Sequence, residues 1–173
     1  MVAAYENLTR DRRLKHIYNL CDFELRARKL LPKALAEYVF GGVEDNTTLA
    51  NNRRQFDDHT LLTRVLSDVS SRHTAHTLLG QTYAAPFGIA PVGVSALIAF
   101  NGDNVMASAA YKLGIPMILS GSSLTRLEEV KQHHPQVWFQ AYLPGDADLQ
   151  AALIERVAAA GIDTLVITEI GRA

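Results

Sequence analysis

The sequence predicts an α/β protein built on a parallel sheet. From Pro86 onward, short apolar strands alternate with amphipathic helices in units of about 20 to 30 residues. Gly114 and Gly161 stand where the first and third of those helices must stop. Polar residues recur just past the strands, at the end where parallel α/β folds bind their ligands. Strands are read at Phe87–Ala90, Pro116–Leu119, Val137–Gln140 and Thr164–Thr168, and helices at Asp103–Leu113, Arg126–His133 and Asp146–Ala160.

The totals bound the partners. With 173 residues, 48% hydrophobic and 20% charged, the chain can bury a real core, and its length suggests one domain. Lys plus Arg number 17 against 18 Asp plus Glu, so a net charge of -1 offers no attraction for nucleic acid or an anionic membrane. A small molecule is the expected partner. The single cysteine, Cys21, excludes an internal disulfide framework and a multi-thiolate metal site. Met1 to Asp11 carries Glu6 and Arg10 without an apolar leader core, and no run approaches the ~18 apolar residues of a membrane span. Cytoplasm is the expected compartment.

Before the alternating region the pattern is helical. Tyr5–Ile17 is charged and amphipathic, and Asp22 is placed to cap a segment from Phe23 to about Leu30. Pro32 restarts the chain; Leu35, Tyr38 and Val39 fall at helical spacing, and Gly41-Gly42 ends that helix. Asn46 or Thr48 is expected to cap Leu49–Phe56, with Glu44 and Asp45 as a cap or a solvated turn. Asp57-Asp58-His59 reads as a solvated helix exit rather than a metal site. Arg64–Val69 and Thr77–Thr82 read as a hairpin around a polar connection. His73 and His76, three apart, would face opposite sides of a strand, against a shared ligand role.

Two readings fit Ala85–Val94, an apolar run with Pro and Gly at both ends. It is a core strand with an ordinary βα turn, or a strand whose Pro91-Val92-Gly93 exit presents bare backbone to a flat ring. The other strand ends carry Ser120, Gln140 with Tyr142 just beyond it, and Thr168. Each alone reads equally well as a satisfied loop side chain; their recurrence on consecutive strands points to a site.

These residues resemble the FMN-dependent α-hydroxy-acid oxidases and dehydrogenases, the family of glycolate oxidase, lactate oxidase, bacterial L-lactate dehydrogenase and mandelate dehydrogenase. The resemblance runs through Leu31-Pro32-Lys33, Tyr38 with Gly41-Gly42-Val43-Glu44-Asp45, Thr48-Leu49-Ala50-Asn51-Asn52-Arg53, Pro86-Phe87-Gly88-Ile89-Ala90-Pro91, Leu119-Ser120 and Trp138-Phe139-Gln140-Ala141-Tyr142. It implies the N-terminal half of a (β/α)8 barrel, about four βα units, preceded by helices and a bottom-closing hairpin. Residues 1–84 would be the helical segment and hairpin, and residues 85–173 the first half of the FMN-binding barrel.

By that resemblance Tyr38 and Tyr142 are substrate-binding phenols. Pro91, Val92 and Gly93 form a backbone bed for the isoalloxazine, and Ser120, Gln140 and Thr168 bond its polar edge. Such an enzyme takes a small L-2-hydroxy acid to the 2-oxo acid, so its site must clamp an anion and hold it against the flavin. The resemblance also implies that the catalytic histidine and the carboxylate-binding arginines come from later strands. Hence none of the six histidines is assigned as the base. Glu169-Ile170-Gly171-Arg172-Ala173 replaces the family's usual continuation after the threonine, which reads as a truncation. Ser122 stands where an aromatic often lines the substrate pocket, and Val92 replaces a common Thr or Ser.

A half barrel leaves open edges, so Ile89, Ile118, Phe139 and Val166 are expected to face solvent on one side, favouring self-association or a complementary second half. Full-length relatives are homo-oligomers. The expectation is therefore an FMN-dependent 2-hydroxy-acid oxidoreductase whose present chain is inactive alone. The alternatives are a non-catalytic FMN-binding or half-barrel assembly module, and a fragment without independent function.

Overall fold

The computed structural model describes residues 14–169, so most of the helix expected at Tyr5–Ile17, and the tail from Ile170, lie outside the described residues. Where length alone suggested one domain, the chain resolves into two compact units that divide between Leu66 and Ser67.

The first unit contains α1 (Cys21–Leu30), α2 (Lys33–Phe40) and α3 (Thr47–Arg54). Its helix starts differ from the expected caps. Asn19 Oδ1 accepts the Cys21 N–H at 2.8 Å, while Asp22 reaches back to the Tyr18 and Asn19 N–H groups at 2.7 and 3.0 Å. This is the reciprocal logic of a capping box, with Asp22 inside the helix rather than ahead of it. At α3, Asn46 is left-handed and bonds the Gly42 N–H, and Asp45 caps by accepting from the Thr47 N–H and hydroxyl at 3.1 and 2.7 Å. Those bonds hold the Asp45 carboxyl below its usual pKa, the Thr47 hydroxyl first. Leu31 is extended because Pro32 disfavours a helical predecessor, which separates α1 from α2. Gly41 ends α2 as expected: a Cβ there would lie 2.5 Å from the Glu37 carbonyl oxygen.

The second unit opens with an antiparallel hairpin of β1 (His76–Leu78) and β2 (Gln81–Tyr83). It lies wholly beyond Arg64–Val69, which forms no strand. The turn explains the displacement: Leu79 and Gly80 both take positive φ, 50° and 79°, as a tight two-residue hairpin requires.

Next come α4 (Ser95–Ile98), α5 (Gly102–Leu113), β3 (Ile118–Leu119), α6 (Leu127–His133), β4 (Trp138–Ala141), α7 (Ala147–Ala159) and β5 (Leu165–Ile167). The expected strand at Phe87–Ala90 is reduced to one parallel bridge, Ile89 to Met117, confined between Pro86 and Pro91. Gly88 permits that approach, since a Cβ there would lie 2.3 Å from the Pro116 oxygen. β3, β4 and β5 follow in spatial order, all parallel. Gly114 and Gly161 end α5 and α7 in left-handed conformations, and the N–H groups of Ile115 and Ile162 reach back to Ala110 and Val157. These are Schellman closures, each seating a buried isoleucine in the core.

The core lies between sheet and helices: Met117, Leu119, Val137, Phe139 and Ala141 from the strands against Ala107, Ala110, Leu127, Val130 and Val157. Phe139 is 7% exposed and Ile89 packs against this core, so both belong to the helix-facing side rather than the open face expected for them. The period of two decides it: Phe139 pairs Leu119 and Leu165, leaving Ile118, Trp138 and Val166 on the other side.

Two consequences are measurable. Leu79 is largely exposed with left-handed backbone, a conformation Asn tolerates better, so Leu79→Asn is expected to raise stability by about 0.5–1 kcal/mol in urea unfolding. Arg156 donates to Glu128 through Nε and Nη2 at 3.0 Å each, joining α7 to α6 and lowering the Glu128 pKa. A depressed carboxyl contributes stability above its unfolded value of 4.5 that is lost as pH falls through the folded value. Glu128→Gln should therefore show a shallower loss of thermal stability below that pH than the parent chain.

Candidate functional site

The parallel register brings Ser120, at the exit of β3, beside Gln140 of β4. Both are buried, at 5% and 2% exposure. Gln140 Oε1 accepts the Gly121 N–H at 3.1 Å and lies 3.4 Å from the Ser120 hydroxyl, which itself accepts the Ser122 N–H at 3.1 Å. These bonds fix the carboxamide's orientation and leave its Nε2 buried without a partner. An unsatisfied buried donor costs about 1–3 kcal/mol. Among the described residues no acceptor reaches this donor.

The Pro91–Val94 loop lies against the same turn. The Val94 N–H donates to the Ser122 carbonyl at 3.1 Å, and Val94 holds φ 48°, a strained conformation for a β-branched residue. At Gly93 a Cβ would sit 3.3 Å from Ser122 Cβ and 3.8 Å from Ser120 Oγ. Pro91 and Val92 are exposed, and Gly93 gives the loop one residue of bare backbone beside the Ser120–Ser122 turn.

Thr168 follows β5, half-buried, with its N–H on the Ala141 carbonyl at 3.0 Å. That bond sets it beside Tyr142, whose ring is half exposed. Gly93 thus lies against Ser120 and Ser122, and Ser120 against Gln140, with Thr168 and Tyr142 at the same end of the sheet. Tyr38 belongs to the first unit, on α2, where it is 70% exposed.

No histidine among the described residues of the second unit stands at this end of the parallel strands. His76 lies in β1 and His133 ends α6. His134 is buried before β4, its Nε2 3.2 Å from the Ile115 carbonyl and its Nδ1 accepting from the Gln136 N–H at 3.3 Å.

Gly121 is not among the expected site residues and Ser122 is expected only as a pocket-lining position, yet the amides of both organise the site. A Cβ at Gly121 would lie 2.7 Å from the Gln140 carbonyl oxygen. The signal available in the sequence is the run Ser120-Gly121-Ser122-Ser123, small polar residues in a turn directly after a strand.

The family described as FMN-dependent dehydrogenase matches residues 27–169. An L-lactate dehydrogenase of Xanthobacter autotrophicus is 39% identical over 148 residues, covering 85% of this chain and 38% of the relative. An L-lactate oxidase of Lysinibacillus sphaericus is 32% identical over 149 residues, covering 85% and 39%. Among solved structures, a soluble mutant of the membrane-associated (S)-mandelate dehydrogenase of Pseudomonas putida superimposes with a TM-score of 0.83 at 31% identity, over 89% of this chain and 44% of that one. The chain spans about two fifths of the length of the curated relatives it matches. It belongs to the FMN-dependent dehydrogenase family.

Proposed function

We propose that this chain supplies the flavin-holding part of an FMN-dependent oxidoreductase acting on a small L-2-hydroxy acid, with residues 85–173 as the first four βα units of a (β/α)8 barrel and residues 1–84 as its accessory segment. The buried, unpartnered Nε2 of Gln140 carries the proposal. It is a neutral donor fixed beside the Ser120 hydroxyl, as the acceptor-rich pyrimidine edge of a flavin requires. The Pro91–Gly93 segment offers a backbone bed for the ring, with Gly93 free of side-chain bulk, and Thr168 adds a hydroxyl just past the neighbouring strand.

FMN, when bound, supplies the acceptor for the substrate's α-hydrogen. The residues of this chain hold and orient. Gln140 Nε2, oriented by the Ser120 hydroxyl on its Oε1, lends a donor without a formal charge and so favours negative charge gathering on the ring edge, where a single such donor is worth about 3 kcal/mol. Tyr142 and Tyr38 are proposed to bond the substrate's carboxylate or hydroxyl region. The histidines of the second unit stand away from its strand ends, so the proton acceptor is proposed to lie outside this chain's strands, and the chain alone is expected not to turn over L-lactate.

A second reading is favoured by the sheet itself. At its margin Ile167 is 51% exposed in β5, and Ile118 and Val166 are only half-buried. These features fit a module that holds FMN and seats against a complementary barrel half, with activity restored on mixing the two.

Fluorescence titration of FMN with the chain tests the leading reading: saturable quenching is expected, and its absence would overturn it. Gln140→Glu keeps the acceptor for Gly121 but replaces the orphan donor by an anion, and is expected to weaken FMN binding by about 10- to 100-fold. Unchanged affinity in that variant would remove Gln140 from the site.

A further inference from the structure

The turn from Ser120 to Thr125 is tied to a group that lies outside the flavin-facing set. Asp103, in the first turn of α5, is 1% exposed. Its Oδ2 accepts the Ser123 hydroxyl at 2.7 Å. Ser123 Oγ in turn accepts the Thr125 N–H at 2.9 Å and lies 3.1 Å from the Thr125 carbonyl, and the Ser123 N–H bonds the Ser120 carbonyl at 3.0 Å. The same turn contributes the Gly121 N–H to Gln140 and the Ser122 carbonyl to Val94. A single buried carboxylate thus anchors the one segment that touches both the Gln140 amide and the Pro91–Val94 loop.

We infer that Asp103, acting through Ser123, is a positioning residue that sets the Ser120–Thr125 turn and with it the orientation of the Gln140 carboxamide toward the cofactor. This rests on the flavin reading above. The chemistry favours a carboxylate at this place. It lies in the first turn of a helix of 12 residues, where the amide dipoles stabilise negative charge, and a charged acceptor holds a hydroxyl more firmly than a neutral one. Ser123 has only one hydroxyl proton to give. Without Asp103 that proton turns to the Thr125 carbonyl, and the turn loses the side-chain hydrogen bond that ties it to α5. The neighbouring bond, Asn104 Nδ2 to Glu129 Oε1 at 2.5 Å, joins α5 to α6 instead and leaves the turn untouched.

The test compares Asp103→Ala, Asp103→Asn and Ser123→Ala in the full chain. Asp103→Asn keeps an acceptor of the same shape and serves as the conservative rescue if Asp103→Ala folds poorly. Two readouts are taken well below each variant's melting temperature: FMN affinity by fluorescence quenching, and amide hydrogen exchange. Asp103→Ala and Ser123→Ala are expected to weaken FMN binding by about 10- to 30-fold, with Asp103→Asn within about 3-fold of the parent. The Gly121 and Ser122 amides are expected to exchange faster in the first two variants while Leu119 and Phe139 stay protected. Lowered melting temperature with unchanged affinity and unchanged exchange at Gly121 and Ser122 would overturn the inference and leave Asp103 a stabilising residue only. If the parent chain does not bind FMN, the flavin reading fails, and hydrogen exchange alone still decides whether Asp103 sets the turn.

Discussion

The pairing of β3 with β4 constrains the rest of the second unit. With Leu119 opposite Phe139 and Phe139 opposite Leu165, three large apolar side chains share the face that meets the helices. The period of two then leaves no freedom for the next residues: Ser120 and Gln140 turn to the other face, side by side. A slip of one residue would drive Gln140 among Leu127, Val130 and Val157 and expel Phe139, forfeiting burial worth about 1.5–3 kcal/mol for that ring alone. The polar pair is therefore held in place by hydrophobic burial on the opposite side of the same strands, and its own hydrogen bonds only set the final orientation.

That non-helical face is layered along the strands. At their N-terminal ends Ile118 and Trp138 join Leu78, Tyr83 and Phe87 around an apolar concavity, with the Tyr83 and Trp138 rings edge to face at 6.3 Å. The hairpin is fastened there, Gln136 donating to Gln81 at 3.1 Å. At the C-terminal ends the character changes to Ser120, Gln140 and Thr168, with left-handed Val94 in the adjoining loop and the buried, unpartnered Gln140 Nε2. Stability and chemistry are separated along one strand length, the division expected of a parallel α/β barrel, whose catalytic loops gather at one end.

How much of this the sequence reveals depends on which force decides each element. The helices α5, α6 and α7 lie within one residue of their expected bounds because amphipathic spacing and the stop at Gly114 and Gly161 are local signals. The hairpin was misplaced because Arg64–Val69 has strand-like composition, whereas the turn is made by Leu79-Gly80, in which Leu is an unusual choice. Phe139 and Ile89 were assigned to the wrong face because a short run such as Val137–Ala141 is apolar at nearly every position, and only pairing fixes its phase. Asp45 and Asn19 displaced the expected caps at neighbouring positions, a choice between adjacent polar residues that propensity does not resolve. At the site, Ser120, Gln140 and Thr168 were legible as side chains at strand ends. The contribution of Gly121 and Ser122 was not, because it is made by backbone amides whose direction depends on a turn anchored from α5.

The unpartnered amide of Gln140 has an energetic meaning that links the fold to binding. In the free chain it is a desolvated donor, a cost carried by the folded state and absent from the unfolded one, where water satisfies the group. An acceptor placed against it removes that cost only in the folded state, so binding and folding are coupled by the same group. The coupling needs a rigid donor. A carboxamide free to rotate would satisfy itself with solvent or a nearby carbonyl, and the Gly121 amide and Ser120 hydroxyl on Oε1 prevent that rotation. Preorganisation therefore rests on the acceptor half of the Gln140 side chain, and under the flavin reading proposed above the half left without a partner would face the ligand.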